Sequence, residues 1–219
     1  MGFPNPDIHA VLWDFGGVFT SSPFEAFNRF EEERGLPKDF IRTVNSTNPE
    51  SNAWAKLEAN AISREEFDGL FHDESCAMGH GVRGRDVLTL LAGKLRPRMV
   101  SVLETCKQHF KVGCITNNIK PADPSQNTPA TRQFTETGPI MAMFDVIIES
   151  SIEGVRKPNP RIYEIACERL GVEPNGCVFL DDLGINLKPA RAMGMTTIKV
   201  VDPDDAIREL EEATGLRFD

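Results

Sequence analysis

Short apolar runs, each closed by polar or acidic residues and most followed by a stretch of helical character, divide much of this chain into strand and helix units. The first run, Ala10-Val-Leu-Trp13, leads into a single carboxylate, Asp14, and then into the paired glycines Gly16 and Gly17. Lys111-Val-Gly-Cys-Ile-Thr116 is followed by Asn117-Asn118, and Phe144-Asp-Val-Ile-Ile-Glu149 comes next. Cys177-Val-Phe-Leu180 ends at Asp181-Asp182, and Thr196 to Val201 is the last run. Apolar runs of this length suit strands buried on both faces. Their interleaving with helices predicts an α/β fold, a parallel sheet with helices on both sides.

The helices carry their own start and stop signals. Asn159-Pro160 opens a helix that runs to Leu170 and stops at Gly171, Leu187 to Met193 stops at Gly194, and Asp202-Pro203 caps the final helix. Met99 to Phe110 reads as a further helix. Between residues 20 and 85 the periodicity is helical throughout. Ser22-Pro23-Phe24-Glu25 and Ser63-Arg64-Glu65-Glu66 have the form of capping boxes. Phe24, Phe27 and Phe30 share one face, and Phe67, Leu70 and Phe71 are expected to point inward; with Trp54, the aromatic residues read as packing. The expected organisation is a core domain of residues 1–19 and 86–219, interrupted by a helical cap domain of residues 20–85.

Composition limits the partners. With 24 basic against 33 acidic residues the formal charge is −9, which disfavours nucleic acid, whose phosphates are bound by clustered Lys and Arg. A small anion remains acceptable, because a local site can be positive on a negative protein. No stretch approaches the roughly 20 apolar residues of a membrane span, and the N-terminus has no apolar signal core. Five widely spaced cysteines without a CxxC pair read as reduced, mostly buried thiols. A cytoplasmic protein is expected, monomer or homodimer, with no membrane partner. His72, His80 and His109 show no metal-ligand spacing, and Cys114 lies inside an apolar run where a thiol packs rather than reacts.

In a parallel sheet the C-terminal strand ends share one edge, where ligands bind in open α/β folds. Asp14, Thr116-Asn117-Asn118, Asp181-Asp182 and the turn carrying Lys157 would converge there. Taken singly, each of these also suits a cap, a turn or a solvated surface. Together they permit one chemistry: crowded carboxylates repel unless a hard divalent cation such as Mg2+ joins them. The Thr hydroxyl, backbone amides and the Lys ammonium can then hold a phosphoryl group while Asp14 attacks phosphorus.

Asp14-Phe-Gly-Gly-Val18, Ile115-Thr-Asn-Asn118, Lys157-Pro158 and Phe179-Leu-Asp-Asp182 resemble, in order, the four motifs of the haloacid dehalogenase superfamily of hydrolases. Three further stretches resemble the N-terminal phosphatase domain of soluble epoxide hydrolase and the equivalent domain of an acyl-CoA dehydrogenase family member. They are Phe144 to Ser150, Lys157 to Tyr163 and Leu180 to Ala190. The resemblance implies a Rossmann-like core with an inserted helical cap that sets specificity. It implies Asp14 as nucleophile and Mg2+ bound by Asp14, the Gly16 carbonyl and Asp182, with Asp181 nearby and Asn186 in support. Thr116 and Asn117 would bind phosphoryl oxygens, and Lys157 would neutralise charge and orient Asp14.

One position departs from the pattern. Phosphatases of the superfamily usually carry a second Asp two residues after the nucleophile, which protonates the leaving group and later activates water; here the residue is Gly16. The implied function is a Mg2+-dependent phosphatase acting through an aspartyl-phosphate on a small phosphorylated metabolite, with weakened acid-base catalysis. Two alternatives are a non-catalytic or regulatory module that binds a phosphorylated ligand and a metal-independent 2-haloacid dehalogenase. Asp181-Asp182 disfavours the second of these.

Overall fold

The computed structural model describes residues 4–118 and 136–218. Among these residues five strands form one parallel sheet: β1 (Ala10–Trp13), β2 (Lys111–Thr116), β3 (Val146–Glu149), β4 (Cys177–Asp181) and β5 (Thr196–Lys199). The order is β3-β2-β1-β4-β5, so the chain runs outward on one side of β1, then crosses back to build the other side. The fold is α/β and Rossmann-like. The reversal of direction falls between β1 and β4, the place where such sheets open a crevice.

Alternation along each strand supplies both faces. Val11, Trp13, Val112, Cys114, Val178 and Leu180 point into one apolar cluster. It is completed by Met99 and Leu103 of α6 (Pro97–Lys107) and Ile207 and Leu210 of α11 (Pro203–Thr214). Ala10, Leu12, Ile115 and Phe179 point the other way, onto α9 (Pro160–Leu170) and α10 (Gly184–Ala192). Burying each large side chain is worth about 1.5–3 kcal/mol, so a sheet covered on both sides is the dominant stabilising element. The remaining core segments are α7 (136–141), helical, and α8 (Ser150–Glu153).

Five helices lie between β1 and α6: α1 (Pro23–Glu33), α2 (Phe40–Ser46), α3 (Ala53–Glu58), α4 (Arg64–Ala77) and α5 (Gly84–Thr89). They share a separate apolar cluster that includes Phe27, Phe40, Ile41, Phe67, Phe71 and Val87. An antiparallel bridge between Thr20 and Leu95 ties together the two crossings between this layer and the sheet.

The box at Ser63 forms in full. Its hydroxyl accepts from the Glu66 amide at 3.1 Å, and the Glu66 carboxylate accepts from the Ser63 amide at 2.7 Å. At Ser22 the hydroxyl accepts from Phe24 at 3.5 Å. Leu70, expected inward, is 37% exposed: Phe67 and Phe71, one turn apart, occupy the buried arc of α4, and Leu70 falls on its flank. Helix α10 begins at Gly184, three residues before the expected Leu187, because Asp181 accepts from the Leu183 amide at 2.8 Å and turns the chain at once. All five cysteines are free; Cys76 is exposed and the other four are buried. No helix among the described residues is long and apolar enough to cross a membrane.

Candidate active site

The parallel register sets Trp13 beside both Cys114 and Leu180, so the residues after them leave the sheet together at one edge. The Asp14 amide donates to the Leu180 carbonyl at 2.8 Å, which holds Asp14 next to Asp181. Lys157 arrives from the turn after α8, and its side chain is fully buried. Its Nζ lies 2.8 Å from Asp14 Oδ1 and 2.7 Å from Asp181 Oδ2. Asn117 fixes the backbone of that lysine: Nδ2 donates to the Lys157 carbonyl at 3.0 Å and Oδ1 accepts from the Lys157 amide at 2.8 Å. The Asn117 side chain is therefore committed to Lys157.

Asp181 is held from three sides. Besides Lys157 and the Leu183 amide, Asn186 Nδ2 lies 3.0 Å from each of its carboxylate oxygens. Asn186 is buried, and its carbonyl accepts from the Tyr163 hydroxyl at 2.6 Å. Asp14 Oδ1 also accepts from the Phe15 amide at 2.7 Å. Among the described residues both donors to Asp14 thus reach the same oxygen.

Asp14, Asp181 and Asp182 each bring a carboxylate oxygen to within 4.8 Å of the others. One ammonium faces three acids. Burial, the largest influence, pushes the Asp14 carboxyl up to about 8 against the attraction of Lys157, and Asp181 and Asp182 add to the rise. Burial and then Asp181 push Asp182 up to about 6. Burial opposes the charge on Lys157, but Asp14 and Asp181 together outweigh it and raise its pKa. A cluster of hard oxygen donors carrying surplus negative charge suits a small divalent cation, and these residues fit Mg2+.

The two glycines after Asp14 differ. Gly17 has φ +75°, and a Cβ there would stand 2.5 Å from the Asp182 carboxyl carbon. At Gly16 the same construction meets nothing within 4 Å, and φ is not in the left-handed range. The turn is gripped by a residue with no sequence motif to announce it: Arg96 Nη1 donates to the Gly17 carbonyl at 2.7 Å from the start of α6.

Above these residues opens a cavity of about 1460 Å³. Asp14, Gly16, Thr116, Asn117, Lys157, Asp182 and Asn186 all line it; Asp181 does not, lying beneath Lys157. Helical residues contribute Phe24, Phe27, Trp54 and Leu88 to the opposite wall, so three of the aromatic side chains read as packing also face the cavity. Glu58 and Arg156 line it too; Glu58 stands in no recognisable pattern, and Arg156 directly precedes Lys157.

A sequence model described as haloacid dehalogenase-like hydrolase matches residues 8–194. The chain belongs to that family. It is 31% identical to bifunctional epoxide hydrolase 2 of Sus scrofa over 96% of this chain and 40% of that one, so it spans about two-fifths of that relative. It is 32% identical to phosphatase MT3486 of Mycobacterium tuberculosis, over 86% of this chain and 85% of that protein. A haloacid dehalogenase family enzyme of Bacteroides thetaiotaomicron, solved with magnesium and inorganic phosphate, shares the fold at a TM-score of 0.55 and 18% identity, covering 88% and 93% of the two chains. The protein is thus a haloacid dehalogenase-family hydrolase with phosphatase relatives.

Proposed function

We propose that this hydrolase is a Mg2+-dependent phosphatase that cleaves a small phosphorylated metabolite through an aspartyl-phosphate on Asp14. The carrying observation is the single buried ammonium of Lys157 between Asp14 and Asp181, with Asp182 completing a three-acid cluster. A metal-independent dehalogenase has no use for so much surplus negative charge. Asp14, the Gly16 carbonyl and Asp182 would hold Mg2+, which when bound neutralises charge on the phosphoryl oxygens.

The remaining roles fall to the chain itself. Lys157 favours the ionised form of Asp14 against burial and aims it, with Asn117 as its backbone clamp; the main-chain amide of Asn117 and the Thr116 hydroxyl are then the donors to phosphoryl oxygens. Asp14 Oδ2 bonds to phosphorus as the ester bond breaks, and water later opens the acyl phosphate. Asp181 anchors Lys157, and Asn186 anchors Asp181. The helices between residues 20 and 95 act as a cap whose aromatic and aliphatic wall selects the organic part of the substrate.

Gly16 weakens proton transfer, for which general acid-base groups contribute about 100- to 10,000-fold. The same residue favours a second reading, a module that binds a phosphorylated ligand without turnover. Phosphate release from a panel of phosphomonoesters with Mg2+, with Asp14→Asn as control, separates the two. Release that needs both Mg2+ and Asp14 supports the phosphatase, whereas binding without release supports the module. Halide release from 2-haloacids without Mg2+ would sink both.

A further inference from the structure

Position 16 has room for a side chain and carries none, so the proton of the proposed reaction needs another donor. Six carboxylates line the cavity: Asp14, Glu50, Glu58, Glu65, Asp68 and Asp182. Asp14 and Asp182 belong to the charged cluster. Asp68 is bound by the Arg83 side chain and by the Arg85 amide at 2.9 Å, and Glu50 and Glu65 are exposed. That leaves Glu58, the last residue of α3, which is buried at 7% exposure.

Building on the phosphatase reading, we infer that Glu58 is the carboxyl group that gives a proton to the leaving-group oxygen and then takes one from the attacking water. Three contacts hold it over the sheet edge. Ser150 Oγ donates to the Glu58 carbonyl at 2.8 Å, tying the end of α3 to the core segment beside β3. Trp54 Nε1 donates to Oε1 at 2.9 Å and fixes the plane of the carboxyl group. Arg156, anchored by its own donation to the Pro49 carbonyl at 2.8 Å, brings Nε to 2.7 Å from Oε2 as an ion pair. Oε1 is engaged by the indole, so Oε2, paired with Arg156, is the oxygen left to carry the proton.

The charged groups acting on this carboxyl are Arg156, beside it, and Lys157. Burial raises its pKa and outweighs the opposing effects of Arg156, the Trp54 bond and Lys157. A carboxyl that holds its proton more tightly than an ordinary glutamate is better suited to act as a general acid. In the first half-reaction the Asp14–phosphorus bond forms while the phosphorus–oxygen ester bond breaks. The departing oxygen takes the Glu58 proton and leaves as an alcohol. In the second, the Glu58 carboxylate takes a proton from water as its oxygen bonds to phosphorus. Asp14 departs as a carboxylate, phosphate is released, and Glu58 is again protonated.

Glu58→Gln keeps the side-chain volume and an oxygen for the Trp54 indole; it removes the proton together with the charge that pairs with Arg156, so the contrast between substrates and the rescue isolate the proton. With Mg2+, kcat on glycerol phosphate should fall about 100-fold or more, while p-nitrophenyl phosphate, whose leaving group needs no proton, should fall less than about 10-fold. Adding Gly16→Asp to that variant should return at least about 10-fold on glycerol phosphate, a larger gain than Gly16→Asp gives with Glu58 present. Equal losses on the two substrates, no loss on either, or no recovery would overturn the inference, since a merely structural role predicts no rescue from position 16. If Glu58→Gln does not fold, Glu58→Asp, which draws the carboxyl back by one methylene, must show the same selective loss and rescue. Wild-type protein that releases no phosphate at all overturns the phosphatase reading; wild-type release that survives unchanged in Glu58→Gln overturns only the role of Glu58.

Discussion

Asp182 lies over Gly17 so closely that a Cβ on the glycine would stand 2.5 Å from the Asp182 carboxyl carbon. The acid and the turn thus occupy complementary space, and the positive φ of Gly17 adds a second restriction. Gly16, its neighbour, has neither.

Gly17→Ala should cost about 1–3 kcal/mol of stability, from the left-handed backbone and the displaced carboxylate. Gly16→Ala should change stability by less than about 1 kcal/mol. Urea denaturation of both variants decides the point, and equal stabilities would contradict the geometry. Because position 16 is open, Gly16→Asp should fold and should raise kcat on alkyl phosphates relative to wild type.

The acid cluster sets a pH dependence for the metal-free protein. Asp14 is raised from its ordinary 3.8 to about 8 in the fold, and Asp182 to about 6. A carboxyl whose pKa is raised by folding contributes stability that is complete below its unfolded value and is lost as pH climbs through its folded value. The metal-free melting temperature should therefore decline between about pH 4 and pH 8. Mg2+ should restore more of it at pH 8 than at pH 5, since the cation competes with protons for the same oxygens. Asp14→Asn should flatten the decline; a metal-free melting temperature that rises across this range would refute the assignment.

Lys157→Met should be severely destabilising. It leaves Asp14 and Asp181 buried without their shared cation, a loss of about 3–5 kcal/mol by the usual cost of breaking a buried pair. Lys157→Arg should not rescue it, because a planar guanidinium cannot replace a point charge standing 2.7 and 2.8 Å from two carboxylates. Denaturant midpoints of the two variants provide the measurement.

Arg96→Ala removes the donor to the Gly17 carbonyl and should cost about 1–2 kcal/mol. Its effect should be strongly coupled to that of Gly17→Ala, since both act on one turn, and a double-mutant cycle in thermal denaturation reads the coupling. Additive effects would show that Arg96 does not support that turn.

The sequence by itself determined the alternation of strands and helices, the polar termini of β1, β2 and β4, and the expectation that Asp14, Thr116, Lys157, Asp181 and Asp182 gather at one sheet edge. These follow from local period and composition, which a linear reading captures, and from an ordered set of short motifs. Only the tertiary structure decided what those residues do for one another. It committed the Asn117 side chain to the Lys157 backbone, turned Leu70 outward, made Gly17 rather than Gly16 the obligatory glycine, paired Arg156, the neighbour of Lys157, with Glu58, and brought in Arg96 and Glu58 from segments with no motif. The reason is distance along the chain. Arg96 meets Gly17 across 79 residues and Glu58 meets Ser150 across 92, and such meetings depend on how separate elements pack, which no local pattern encodes.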